Sequence, residues 1–120
     1  MSEWYAYEAG QSIGRRGSEN GVILRDDEYG DPEDPEDADA RITLERVGTT
    51  PEYAITCGVY GWMFHTRFFE SEEAAQAAFD LIKPELERLA GMIPYEEDRD
   101  VEAKAKALGE ASADFVRRFP

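Results

Sequence analysis

The stretch from Tyr53 to Phe69, YAITCGVYGWMFHTRFF, limits what this chain can fold into more than any other part of it. Two near-mirror runs of apolar and aromatic residues flank Tyr60-Gly61. Closing that pair into a two-residue hairpin turn sets Val59 against Trp62, Cys57 against Phe64, Ile55 against Thr66 and Tyr53 against Phe68. Side chains alternate along a strand, so these eight share one face. Seven of the eight are apolar or aromatic, which assigns that face to a core. The opposite, outer face then carries Ala54, Thr56, Gly58, Met63, His65 and Arg67.

The pattern extends upstream. Arg41 to Val47 alternates as a strand, and Thr49-Thr50-Pro51-Glu52 reads as a loop into the hairpin. A four-residue loop would set Leu44 beside Cys57 and Ile42 beside Val59, carrying the core face across three strands. Arg46 is the exception on that face and is expected at its edge. Trp4 to Glu8 reads as a short first strand, and Gly21 to Tyr29, opening on Val22, Ile23 and Leu24, as a second. Between them, Gly10 to Gly21 holds four glycines and reads as a flexible loop. Asp26 to Asp39 holds nine acidic residues, no basic ones, and Pro32 and Pro35. Self-repulsion and proline predict a solvated loop there.

Downstream, Ser71 is a candidate N-cap, with Glu72 and Glu73 in the first turn of a helix. Phe79, Ile82, Leu86 and Leu89 follow at helical spacing. Pro84 falls inside the pattern and is expected to kink or break it, and Gly91 to stop it. Residues 94–100 read as an acidic linker. Val101, Ala105, Leu108, Phe115, Val116 and Phe119 mark a second amphipathic helix. The expected fold class is α+β: an antiparallel β-meander of four to five strands, then two helices packed on one face, within one domain over residues 1–120.

Charge narrows the partners. Thirteen basic against 27 acidic residues give a net charge of −14. That argues against nucleic acid, whose phosphates need Lys and Arg, and against anionic lipid surfaces. No run of about 18 apolar residues marks a membrane span, and the N-terminus lacks the basic and apolar regions of a signal peptide. The single cysteine, Cys57, cannot close an internal disulfide and fits a reducing cytoplasm. The same charge would steer the chain toward a basic protein partner.

Candidate chemistry gathers on the outer sheet face, at Thr43, Glu45, Thr56, His65 and Arg67. In this register Glu45, Thr56 and His65 form one cross-strand row, and Val47, Ala54 and Arg67 the next. His65 is the only histidine, a residue type suited to general base work. Alternate strands lie about 9.5 Å apart, however, so Glu45 and His65 cannot pair across Thr56. A solvated or structurally bonded histidine is the plainer reading. Cys57, on the core face, is expected to be an inert small hydrophobe. One cysteine and one histidine do not make a zinc site. The acidic run lacks the DxDxDG spacing of a calcium loop, and Gly10, Gly14, Gly17 and Gly21 do not match a phosphate-binding fingerprint.

These residues single out no catalytic group, metal or cofactor. They leave a non-catalytic interaction module for a basic partner, with a small-molecule pocket or cryptic enzyme on the outer face as the alternative. The outer face mixes polar residues with Val47, Ala54 and Met63, which also suits a homodimer with C2 symmetry through that face.

Overall fold

The computed structural model describes residues 2–95 and 97–120. Strands β1 (Glu3–Ala6), β2 (Val22–Gly30), β3 (Ala40–Arg46), β4 (Tyr53–Val59) and β5 (Met63–Phe69) pair in chain order, every neighbour antiparallel. Helices α1 (Glu72–Ala90) and α2 (Val101–Arg118) follow. This is the expected α+β meander, with its helices on one side. Ile42, Leu44, Ile55, Cys57 and Val59 line that inner side. They join Phe79, Ile82, Leu86 and Leu89 of α1 and Leu108 and Phe115 of α2 in one buried cluster. No helix among the described residues is long and apolar enough to cross a membrane.

Helix α1 starts where its cap predicts, with the Ser71 hydroxyl accepting from Ala74 N at 3.2 Å. Pro84 does not break it, contrary to expectation, and the helix runs on to Ala90. Pro84 is exposed, so the Asp80 carbonyl that it leaves unbonded lies on the solvent side. Phe79 and Ile82 before it, and Leu86 and Leu89 after it, stay seated in the core. Polar contacts pin the inner face of β1 and β2 to α1: Arg25 to Gln76 and Asp80, Lys83 to Asp27, and Trp4 Nε1 to Glu87. Between the helices the acidic linker has no regular element among the described residues. Asp98 accepts from Tyr95 N and pairs with Lys104, while Glu96 of that linker lies outside the described residues.

Two registers differ from expectation, with opposite consequences. Between β3 and β4, Ile42 pairs with Cys57 and Leu44 with Ile55. The connection is longer than four residues, and the shift is two residues. A shift of two leaves every side chain on its face. Arg46 does sit exposed at the rim, paired with Glu52. Between β4 and β5 the shift is one residue, and β5 turns over. Cys57 faces His65, Ile55 faces Arg67, and Gly58 faces Phe64. Met63, His65, Arg67 and Phe69 therefore point to the helices, and Phe64, Thr66 and Phe68 point outward.

The turn explains the inversion. A two-residue hairpin turn needs positive φ at its first position, which a tyrosine resists. Here Gly61 takes the positive φ, +81°, and Trp62 N donates to Val59 O at 2.9 Å. A turn with its positive φ at the third place splays the flanking strands, so pairing resumes only at Val59 and Met63, and Trp62 joins the loop.

The acidic run also divides. Strand β2 continues through Asp26, Asp27 and Glu28 to Gly30, so the expected loop over 26–39 is in fact confined to 31–39. That connection holds one short helical turn, Pro35–Asp37.

Candidate functional site

Strands β2, β3 and β4 bring a row of polar side chains to the outer face, and most are buried. Asp26, 2% exposed, lies opposite Thr43 in the register. Its carboxylate accepts two parallel bonds from Arg41, at 2.9 and 2.7 Å, and one from the Thr43 hydroxyl at 3.0 Å. Bidentate charge-assisted pairing of this kind is what makes a buried carboxylate tolerable. It also holds Arg41 still more firmly protonated than a free guanidinium. The Arg41 guanidinium carbon lies over the Tyr7 ring, 3.6 Å from its centre.

Next along β2, Glu28 accepts from Tyr60 Oη at 2.6 Å and Tyr5 Oη at 3.3 Å. Burial and the adjacent Glu28 push the Tyr5 phenol up to about 12 and raise Tyr60 as well. Both tyrosines stay neutral donors.

Glu45 is 0% exposed. The glycine loop before β2 folds over its carboxylate, which accepts from Gly21 N at 3.1 Å and from Glu19 N at 3.1 and 3.3 Å. Ser18 Oγ completes the cage at 3.5 Å. Gly17 is small because the carboxylate lies where its Cβ would stand, 2.4 Å from Glu45 Cδ. Glu45 is thus a structural anchor with no free valence for a ligand.

Thr43, Glu45 and Thr56 share the outer face as expected, but His65 and Arg67 do not join them. They belong to the inner face, a correction that follows from the one-residue shift of β5. His65 Nε2 donates to the Phe119 carbonyl, and its ring stands edge-on to Phe115. Arg67 Nε donates to the Pro120 carbonyl at 3.1 Å. Both fasten the end of α2 to β5. Cys57 is buried, and desolvation pushes its thiol up to about 12, which leaves it unreactive at neutral pH.

Two clefts flank this network. One, of ≈ 350 Å³, lies on the outer face between the glycine loop and Phe64, and Arg16, Arg41, Thr43, Thr56 and Tyr60 also line it. The polar groups on its walls are largely engaged: Arg41 and Thr43 by Asp26, Arg16 by Asn20, Thr56 by Thr66. The other, of ≈ 430 Å³, opens where the 31–39 connection meets the β4–β5 turn. Glu28, Glu36, Asp37 and Asp39 wall it, beside Tyr60, Trp62 and Ile93. Backbone bonds from Asp39 N to Tyr29 O and from Tyr60 N to Asp39 O fix its rim. No basic side chain lines it among the described residues. Burial, and then the neighbouring Asp37, raise the Asp39 carboxyl above its ordinary range. No group of three or more His, Cys, Asp or Glu among the described residues is arranged to hold a metal ion.

The residues that organise this face beyond the expected set are Asp26, Glu28, Arg41, Tyr5 and Tyr60. A signal for them existed. Arg41 and Thr43 alternate on β3 with the apolar Ile42 and Leu44, so each needed a polar neighbour on the outer face. No family model, no curated protein and no solved structure matches this chain.

Proposed function

We propose that this protein is a non-catalytic interaction module whose acidic cleft receives a basic side chain of a protein partner. One observation carries the reading: a ≈ 430 Å³ cleft where Glu36, Asp37 and Asp39 gather with no cation among its lining residues. Burial first, and the neighbouring Asp37 second, raise the Asp39 carboxyl, and the second cause is a like-charge repulsion. A lysine or arginine entering the cleft relieves it, and Trp62 and Tyr60 offer aromatic faces to the same cation. The net charge of −14 steers a basic partner toward the surface before contact. A free buried thiol at Cys57 suits a reducing cytoplasm as the place of encounter.

The test is calorimetric titration with an oligo-arginine peptide. A triple variant, Glu36→Gln with Asp37→Asn and Asp39→Asn, is expected to lose roughly tenfold or more in affinity. A control, Glu73→Gln with Glu102→Gln and Glu110→Gln, removes the same charge from exposed helix positions. It is expected to lose far less. Equal losses would mean that the peptide reads only the overall field, and the cleft would lose its role.

A second reading, a small-molecule pocket, is favoured by the outer-face cleft that Phe64 and the glycine loop enclose. Binding of small fragments that shifts the NMR signals of Thr43, Thr56 and Phe64, with the acidic cleft silent, would favour it.

A further inference from the structure

We propose that two copies of this chain pair through the free edge of β5, antiparallel and centred on Thr66. Strand β5 is bonded to β4 on one side only. Among the described residues no other segment hydrogen-bonds to its backbone, because α2 ends over its inner face rather than beside its edge. An unpaired edge of seven residues is a template for another strand.

The order of residues argues for a second copy as the occupant. Met63 to Phe69 is balanced about Thr66, with Phe64 and Phe68 two places to either side. A two-fold axis through Thr66 sets Phe64 opposite the partner's Phe68, and Phe68 opposite the partner's Phe64. These two rings are among the most exposed large hydrophobic groups, at 69% and 49%. The pairing gathers four rings into one patch on the outer face, where aromatic cross-strand pairs stabilise a sheet. On the inner side Met63 meets the partner's Phe69. Between those pairs His65 meets the partner's Arg67, and the two are held by the Phe119 and Pro120 carbonyls of their own chains.

Charge points the same way. Each protomer carries −14, which opposes association. Strand β5 has no acidic residue and carries Arg67, so it is a seam along which two such chains can approach. The other edge strand, β1, is shorter and begins with Glu3. Screening weakens the residual repulsion, so the dimer tightens as salt is added.

Sedimentation of the whole chain at low and high ionic strength tests the pairing, with three variants. The expected result is a dimer whose dissociation constant falls as salt rises. Phe64→Lys combined with Phe68→Lys should weaken it roughly tenfold or more. Circular dichroism should show the fold unchanged, since Phe64 is mostly exposed and Phe68 half exposed, and neither belongs to the buried core. Thr66→Cys should give a disulfide-linked dimer under mild oxidation, because directly opposed residues lie about 4.5–5.5 Å apart, within disulfide reach. Phe64→Cys alone should not, because its two copies would stand about 13 Å apart along the strands. A monomer at both ionic strengths overturns the proposal. So does a dimer indifferent to the lysine pair, or one that crosslinks through position 64.

Discussion

Replacing Gly17 by alanine should damage this protein through one neighbour, the buried carboxylate of Glu45. An added Cβ would fall 2.4 Å from Glu45 Cδ and 2.5 Å from Oε1. Neither atom can remain there. The carboxylate must swing away from Gly21 N and Glu19 N, both at 3.1 Å. Hydrogen bonds to a charged group are worth about 1.5–3 kcal/mol each, so losing one and weakening the other gives about 2–4 kcal/mol. Against a total stability of about 5–15 kcal/mol the variant still folds. The decisive comparison is the same substitution in a Glu45→Ala background. There the obstruction is gone, Gly17 needs no positive φ, and the added methyl should be nearly neutral. Urea unfolding of the four proteins in this cycle should give a coupling energy of about 2–4 kcal/mol between the two positions. An equal cost of Gly17→Ala in both backgrounds would refute the steric argument. No cost in the parent chain would show that the loop can yield without disturbing the carboxylate.

Two further outcomes follow from burial and charge. Phe64→Ala should cost less than about 1 kcal/mol, whereas Phe79→Ala, which empties the centre of the core, should cost about 3–5 kcal/mol in the same denaturant assay; similar losses would restore Phe64 to the core face. Asp39 is an acid whose folded-state pKa is raised, so the folded chain binds that proton more tightly than the unfolded chain does. Its contribution therefore declines as pH climbs from the ordinary carboxylate range through the raised value. Asp39→Asn should melt higher than the parent at neutral pH, with the difference closing below the ordinary carboxylate range. Equal melting temperatures at neutral pH would contradict that sign.

What the sequence disclosed depended on parity. Residue pattern located the five strands and two helices of the described residues, except for the acidic second half of β2, because burial of a stripe or face is written directly in residue type. The β3–β4 register slipped by two, and Ile42, Leu44, Ile55 and Cys57 still reached the core. The β4–β5 register slipped by one, and His65 and Arg67 changed sides. Strand β5 could not announce the error, since each of its faces carries two large apolar residues: Met63 and Phe69 on one, Phe64 and Phe68 on the other. The decision lay in the backbone of Tyr60 and Gly61 and in what covers the inner side. Gly58 accepts the Phe64 ring, whose Cδ1 lies 2.7 Å from where a Cβ would be. The end of α2 offers carbonyls to His65 and Arg67. Both partners are distant in the chain, so no local pattern could reveal them.

The acidic run makes the same point about function. Read as composition, Asp26 to Asp39 is one block of negative charge. In the fold its first part is a strand whose outward carboxylates, Asp26 and Glu28, are taken up by Arg41, Thr43, Tyr5 and Tyr60. Asp27, on the other face, is taken up by Lys83. Those charges are internal structure, and a partner cannot use them without breaking the bonds that make them tolerable. The second part, from Asp31 onward, carries Glu36, Asp37 and Asp39 to a cleft that no basic side chain lines among the described residues. Neutralising Asp26 should therefore weaken folding, whereas neutralising Asp37 should leave folding intact and weaken capture of a cation. On the proposed reading the boundary falls after Gly30, where the strand ends: Asp31 still accepts from Glu33 N, but no basic side chain among the described residues pairs with Glu36, Asp37 or Asp39.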